Sequence, residues 1–292
     1  MIRFLTVSFM TAALFLGACS STETAPAGEP AKTTTVKKAP EFKGSVGVDF
    51  EKKIVRIGAL NAETGPAAVL GKPWAIGKRV LAAEVNSGKS SLLPQGWKVE
   101  LVERDHGYNP SKSQQGLAAL KDQVLFFATS FGTPPTMPLR PFLKKENIIA
   151  FPASLSSQMA EFEHTPPIGS PYSFEARRAM DFAAQNAGGA DKVKAGIIYD
   201  QTDYGKDGLA GFKEGVKNNG MTIVAQRAIK PGQKDFTAEI GALKAAGATH
   251  IMLTVLPSAT GPILGTAAKM QYMPVWLANT PAWVDAFFAH PK

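Results

Sequence analysis

Ile54-Val-Arg-Ile-Gly-Ala-Leu60, followed at once by Asn61-Ala-Glu-Thr-Gly-Pro66, sets a pattern that the rest of the chain repeats. The apolar, β-branched run reads as a buried strand, and the Asn, Thr, Gly and Pro that follow read as the loop that ends it. A helix is expected over residues 72–85, stopped by Asn86-Ser-Gly88. Trp97-Lys-Val-Glu-Leu-Val-Glu103 alternates as a strand does, Asn109-Pro110-Ser111 is a helix opening, and residues 124–128 and 148–151 read as buried strands. After the break Thr165-Pro-Pro-Ile-Gly-Ser-Pro171 the rhythm restarts. Residues 174–187 place Ala176, Ala179, Met180, Ala183, Ala184 and Ala187 on one helical face, and strands are expected at 193–199, 221–227, 250–254 and 274–277. Alternating β and α elements imply an α/β fold with parallel sheets and right-handed crossovers, and the Pro-rich break implies two lobes. Ligands of such sheets sit beyond the carboxyl ends of the strands. Attention therefore falls on the loops after Leu60, Val102, Ala128, Phe151, Tyr199, Thr254 and Leu277.

The bulk composition suits a globular core. Of 292 residues, 45% are hydrophobic and 19% charged. The net charge of +8 is spread over scattered positions such as Lys37-Lys38, Arg140 and Lys144-Lys145, with no recognition motif, so no nucleic-acid partner is expected. The start has a different character. Arg3 precedes an apolar run from Phe4 to Phe15, then Leu16-Gly17-Ala18-Cys19. A short basic head, an apolar stretch too short for an ordinary span and small residues before a cut describe a secretory signal peptide over residues 1–18. Leu-Gly-Ala-Cys resembles a bacterial lipobox, which makes Cys19, the only cysteine, the expected lipid anchor of a periplasmic or cell-surface lipoprotein. Residues 19–50, rich in Ser, Thr, Pro and Lys, read as a flexible tether. The lobes are then expected at 51–170 and 171–292.

Catalytic and metal chemistry find little support. The histidines at 106, 164, 250 and 290 are too far apart to form a local metal motif, and no metal or cofactor is expected. Gly71 and Gly77-Lys78 imitate a phosphate loop, but Arg79 stands where Ser or Thr should hold magnesium. Ala128-Thr-Ser130-Phe-Gly132 resembles a nucleophile elbow, which keeps a secreted serine hydrolase using Ser130 as an alternative. Thr133-Pro-Pro-Thr is an odd start for the helix such an elbow needs.

Taken in order, the segments resemble the Leu/Ile/Val-type receptors of bacterial ABC importers, the type I periplasmic solute-binding proteins. The resemblance rests on 57–71 with Thr64-Gly65-Pro66, on Val102-Glu-Arg-Asp105, on Asn109-Pro110, and on the loops Gly132-Thr-Pro-Pro and Phe151-Pro-Ala-Ser154. In the second half it rests on Ile198-Tyr-Asp-Gln-Thr-Asp203-Tyr204-Gly205-Lys206 and Gly232-Gln-Lys-Asp235-Phe236. The resemblance implies two Rossmann-like lobes that close on a small solute, an amino acid or a related acid or amide, for delivery to an ABC permease, with no enzymatic step. A ligand-sensing receptor of the same fold is the alternative within this class.

What the resemblance implies about the site is residue-specific. Gly132-Thr133 and Ala153-Ser154 fall where family members hold a ligand carboxylate, Thr64 and Leu70 fall in the first loop, and Tyr204 falls on a ligand-contacting tyrosine. Trp74 reads as core. Tyr172 and Thr280 lie in second-lobe loops where family members carry acids for the ligand ammonium; Ser170-Pro-Tyr172-Ser173 and Ala278-Asn279-Thr280 contain none. Leu155 replaces a further hydroxyl. A solute without a free amine is therefore expected to bind at least as well as an amino acid. Family members also continue past the equivalent of Leu277 and return to the first lobe, so the second lobe reads as incomplete and the chain as shortened, with exposed sheet edges and helix faces expected.

Overall fold

The structure, a computed structural model, describes residues 44–287. The signal-like start, Cys19 and most of the expected tether lie outside the described residues. Val48 and Asp49, at the end of that stretch, form a short strand β1 (Val48–Asp49) antiparallel to the start of β2 (Ile54–Asn61). The turn between them is held by the Lys52 N–H donating to the Asp49 carboxylate at 2.9 Å.

From β2 the chain runs through α1 (Ala68–Asn86), β3 (Lys98–Asp105), α2 (Pro110–Leu120), β4 (Phe127–Phe131), the single turn α3 (Thr133–Thr136), α4 (Arg140–Glu146) and β5 (Ala150–Ala153). A connection holding α5 (Ser157–Ala160) leads to α6 (Tyr172–Ala187). Then follow β6 (Lys194–Asp200), α7 (Asp203–Asn218), β7 (Thr222–Ile229), α8 (Thr237–Ala245), β8 (His250–Thr254), α9 (Pro257–Lys269) and β9 (Val275–Ala278). The parallel strands lie in the order β3-β2-β4-β5 in one sheet and β7-β6-β8-β9 in the other. Both lobes thus share one winding, 2-1-3-4, and each has its switch point beside its first strand, between β2 and β4 or between β6 and β8.

Most elements fall where the periodicity places them, and the differences have local causes. Strands β4 and β5 lie two or three residues further on than the apolar runs, because Thr129 and Ser130 are buried strand residues whose hydroxyls bond to the carbonyl of Ala128 and to Thr136. The Thr-Pro-Pro-Thr segment does open a helix: Pro134 and Pro135 occupy its first turn, where a missing N–H forfeits no intrahelical bond. Between Phe127 and Thr129 the register against β2 slips by one residue at Ala128. This bulge keeps Phe127 with Leu60, Leu117 and Leu143 in the core under α2 and α4, and turns Thr129 and Phe131 toward α1.

Helices cover both faces of the second sheet. Ile197 packs with Met180 and Phe212 on one side, and Ile198 packs with Phe236, Ile240 and Ile263 on the other. In the first lobe α1 buries only Gly71, Ala75 and Val85, leaving Ile76, Val80 and Leu81 exposed. The edge strand β5 likewise shows Phe151 to solvent, ring-to-ring with Phe126 at 5.8 Å. Helices α6 and α7 pack most closely where Gly211 has no side chain, since a Cβ there would lie 1.8 Å from the Ser173 carbonyl oxygen. Gly211→Ala should therefore destabilise the fold by about 1–3 kcal/mol through overpacking. Gly241→Ala, in α8 with only the Met270 methyl 3.7 Å away, should be neutral or stabilising by up to about 1 kcal/mol. Urea unfolding of the two variants checks this, and equal midpoints would contradict the packing described.

Candidate functional site

The carboxyl ends of β2, β4, β5, β6 and β8 carry the residues that meet between the lobes. Ala62, Ala67 and Phe131 from the first lobe bury against Tyr172, Tyr204 and Leu256 from the second. A cavity of about 300 Å³ opens beside this contact. Its wall is formed by Leu70, Trp74, Tyr108, Phe131, Gly132, Thr133, Ala153, Leu155, Ile168, Gly169, Tyr172, Tyr204, Leu256, Thr280 and Pro281. No Asp, Glu, Lys, Arg or His is among them.

One polar spot interrupts this apolar lining. The β4 and β5 ends are tied by the Gly132 N–H donating to the Ala153 carbonyl at 3.0 Å, and by the hydroxyls of Thr133 and Ser154, 2.6 Å apart. The Tyr172 phenol points at the same pair. Burial raises its pKa well above the ordinary tyrosine range, and hydrogen bonds to Ser154 and Thr133 offset only part of that, so it stays a neutral O–H donor. Gly132 is required here twice over. Its φ of 87° lies in the left-handed region, and a Cβ would fall 2.3 Å from the Tyr108 ring.

Two perpendicular aromatic pairs face this cavity, one from each lobe. Trp74 lies across Phe131 with centroids 6.3 Å apart, and its indole N–H donates to the Thr129 hydroxyl at 3.2 Å. Tyr172 lies across Tyr204 at 4.7 Å, and the Tyr204 hydroxyl donates to the Val255 carbonyl at 3.2 Å. Each ring is therefore fixed before anything binds.

Of the expected site residues, Leu70, Gly132, Thr133, Ala153, Tyr172, Tyr204 and Thr280 line one cavity. Ser154 stands directly behind Thr133, fully buried. Thr64 is placed elsewhere: its hydroxyl donates to Asp105 at 2.6 Å, which ties the first loop to the end of β3. Ser130, the alternative nucleophile, is buried with its Oγ 2.7 Å from the Thr136 hydroxyl, an arrangement without a histidine base.

Three residues of the wall or its support escape a reading of sequence. Trp74, read as core, is half-exposed and forms part of the wall, because α1 meets the sheet only along a narrow stripe. Tyr108 has a left-handed backbone, φ 63°, held by its N–H donating to His106 Nδ1 at 3.0 Å. The Gly107-Tyr108-Asn109 turn in which it sits was the available signal. A carboxylate does reach the second-lobe loops: Glu175, one turn into α6, accepts from the Asn279 side chain and the Thr280 N–H at 3.1 Å and from the Thr280 hydroxyl. It lies behind the wall and not in it. Among the described residues no group of three His, Cys, Asp or Glu converges as a metal site, and no helix is long and apolar enough to cross a membrane.

Two parallel sheets of one winding, with their carboxyl ends on a shared cavity, define the class: a two-lobed α/β fold with a cleft between its lobes. The chain belongs to the periplasmic binding protein family, whose profile matches residues 54–286. A curated relative, Leu/Ile/Val-binding protein homolog 3 of Brucella melitensis, is 25% identical over 201 residues, which is 66% of this chain and 52% of that protein. Among solved structures, a fatty acid ABC transporter substrate-binding protein from Thermomonospora curvata superposes with a TM-score of 0.78 at 24% identity, covering 85% of this chain and 62% of that one. A branched chain amino acid ABC transporter protein from Thermus thermophilus, with bound valine, gives 0.74 at 19% identity over 82% and 62%. An R. palustris solute binding protein in complex with 4-hydroxybenzoate gives 0.68 at 20% identity over 78% and 62%. The chain thus spans about half to three-fifths of the length of these relatives. They are binding proteins by name, not enzymes.

The loop that presents Tyr108 depends on a neutral His106. Burial pushes this imidazole down to about 4, and its Nδ1 must be unprotonated to accept the Tyr108 N–H. The unfolded chain takes up the proton near the ordinary value of about 6.5, before the folded one does. The associated stability is therefore complete above about pH 6.5 and is lost as pH falls toward 4, by on the order of 3 kcal/mol. His106→Asn keeps an acceptor without titrating. The unfolding free energy of the parent relative to this variant should drop between pH 6.5 and 4, and a pH-independent difference would refute the assignment.

Proposed function

We propose that this chain is the extracytoplasmic solute-binding component of an ABC importer, taking a small amino-acid-like, carboxylate or amide solute between its lobes and presenting the closed form to a membrane permease. The observation that carries this reading is the cavity shared by both lobes at the switch points of their sheets. A ligand there touches Thr133 and Trp74 on one side and Tyr204 and Leu256 on the other, so it favours closure by contacting both at once. The names of the relatives, which include amino acid, fatty acid and 4-hydroxybenzoate binders, support the same class. The reading places the first lobe at 51–170 and the second from 171 onward. Export and acylation at Cys19, with the tether behind it, hold the clamp near the membrane.

Three measurements test this. A thermal-shift panel of amino acids, aliphatic and aromatic acids and their amides should contain stabilising members, since a ligand at 100 Kd adds about 2.7 kcal/mol. A panel without any would sink the proposal. For the best member, Thr133→Val should weaken binding by about ten- to a hundredfold, the worth of one charge-assisted hydrogen bond of roughly 1.5–3 kcal/mol, with a smaller loss in Ser154→Ala because that hydroxyl acts through Thr133. Cys19→Ser should abolish metabolic lipid labelling, and persistent label on the serine variant would remove the anchor from the reading.

A further inference from the structure

We infer that the solute is an aryl carboxylate without an amine, its carboxylate at the hydroxyl spot of Thr133, Ser154 and Tyr172 and its ring between the Trp74–Phe131 and Tyr172–Tyr204 pairs. The inference rests on the solute-binding reading above and narrows it to one chemistry. A carboxylate is an acceptor only, and hydroxyls that rotate to donate toward it stabilise its charged form even where no cation is near. The cavity wall has such a cluster and no charged side chain, so an anion finds donors while a buried ammonium would lack a counter-charge.

The carboxylates nearest the second-lobe wall are engaged in the scaffold. Asp200 accepts the Thr202 N–H at 2.8 Å, and Glu175 accepts from Asn279 and Thr280; neither lines the cavity. They leave the second-lobe side unfavourable to an anion, which places the carboxylate at the first-lobe end and the apolar body toward Tyr204. The body is read from the rings. Trp74 is anchored by its N–H to Thr129 and by its edge contact to Phe131, and Tyr204 by its hydroxyl to Val255, so a planar ring meets walls that need no ordering.

Calorimetry on the chain with five matched probes tests each part separately. We expect 3-phenylpropionate to bind at least tenfold tighter than phenylalanine (amine added), 3-phenylpropanamide (charge removed), 4-methylpentanoate (ring removed) and 3-phenylpropylamine (charge reversed). Trp74→Leu should cost 3-phenylpropionate at least tenfold and 4-methylpentanoate less than threefold, with Trp74→Phe restoring much of the loss. Phenylalanine, the amide or the amine binding as tightly as the acid would overturn the inference, as would equal losses for both acids in Trp74→Leu. If leucine binds tightly and 3-phenylpropionate does not, the narrowing fails and the solute-binding reading stands; if no small solute stabilises the chain, both fail.

Discussion

Strand β4 holds one residue more than its partner β2 needs, and the first lobe's share of the cavity depends on it. Without the slip at Ala128, in a strand paired regularly, Thr129 and Phe131 would follow Phe127 onto the face under α2 and α4. With it, Phe127 remains in the core while Thr129 receives the indole N–H of Trp74 and Phe131 meets the Trp74 ring. The same slip delivers Gly132 to the end of β4, where its positive φ turns the chain into α3 and its bare Cα accepts the Tyr108 ring. One inserted residue thus joins core packing to the shape of the wall.

Charge is handled outside the wall. Each carboxylate near the cleft is committed to scaffold. Asp105 takes the Thr64 hydroxyl and the N–H groups of Glu63 and Gly107, fixing the first loop against β3. Asp207 of α7 takes the N–H of Ser157 at 3.0 Å and of Ser173 at 3.3 Å together with the Ser157 hydroxyl, so the connection between lobes is fastened to the second. Asn61 receives Lys78, while Arg79 spans Glu63 and Glu103 at 2.6 and 2.8 Å, which locks α1 to the ends of β2 and β3. Burial pushes the Lys78 ammonium down to about 8, against the pull of Glu103. What these groups leave for the cavity is a lining without a charged side chain, its hydroxyls those of Tyr108, Thr133, Tyr172, Tyr204 and Thr280.

The alternation of elements was legible because it follows from periodicity: Ile54–Asn61 is apolar but for Arg56 and Asn61, His250–Thr254 has an apolar centre, and α6 repeats its small residues every three or four positions. The loops beyond those strands follow from the fold class, and it was the resemblance to Leu/Ile/Val-type receptors that singled out Gly132, Thr133, Ala153, Tyr172 and Tyr204 within them. The bulge at Ala128 had no such signal, since Ala-Thr-Ser fits a straight strand equally well. Trp74 was misjudged because a large apolar residue on a helix is ordinarily core, and only the narrow seating of α1 leaves it at the cavity. Glu175 escaped for a related reason. It lies in the first turn of α6, just past Ser170–Ser173, and a helix brings residues three or four apart onto one side, so its carboxylate reaches Thr280 from within α6.

Two lobes of identical winding explain why the wall is built in matched halves. Each sheet offers the crevice beside its first strand, and each crevice is floored by a short loop leading into a helix: Gly132 into α3, and Leu256 into α9. The lobes meet chiefly through Ala62, Ala67 and Phe131 against Tyr172, Tyr204 and Leu256, a contact that is apolar and small compared with either core. On the proposed reading, contact of that kind favours closure only slightly, and a bound solute supplies the rest. A ligand that touches only one wall binds both forms equally and shifts nothing. Differential binding requires a solute long enough to reach from the Thr133 hydroxyl to Tyr204. In such a clamp, size and charge placement would be read by the same event, the closing of the second lobe over a body whose polar end the first lobe holds.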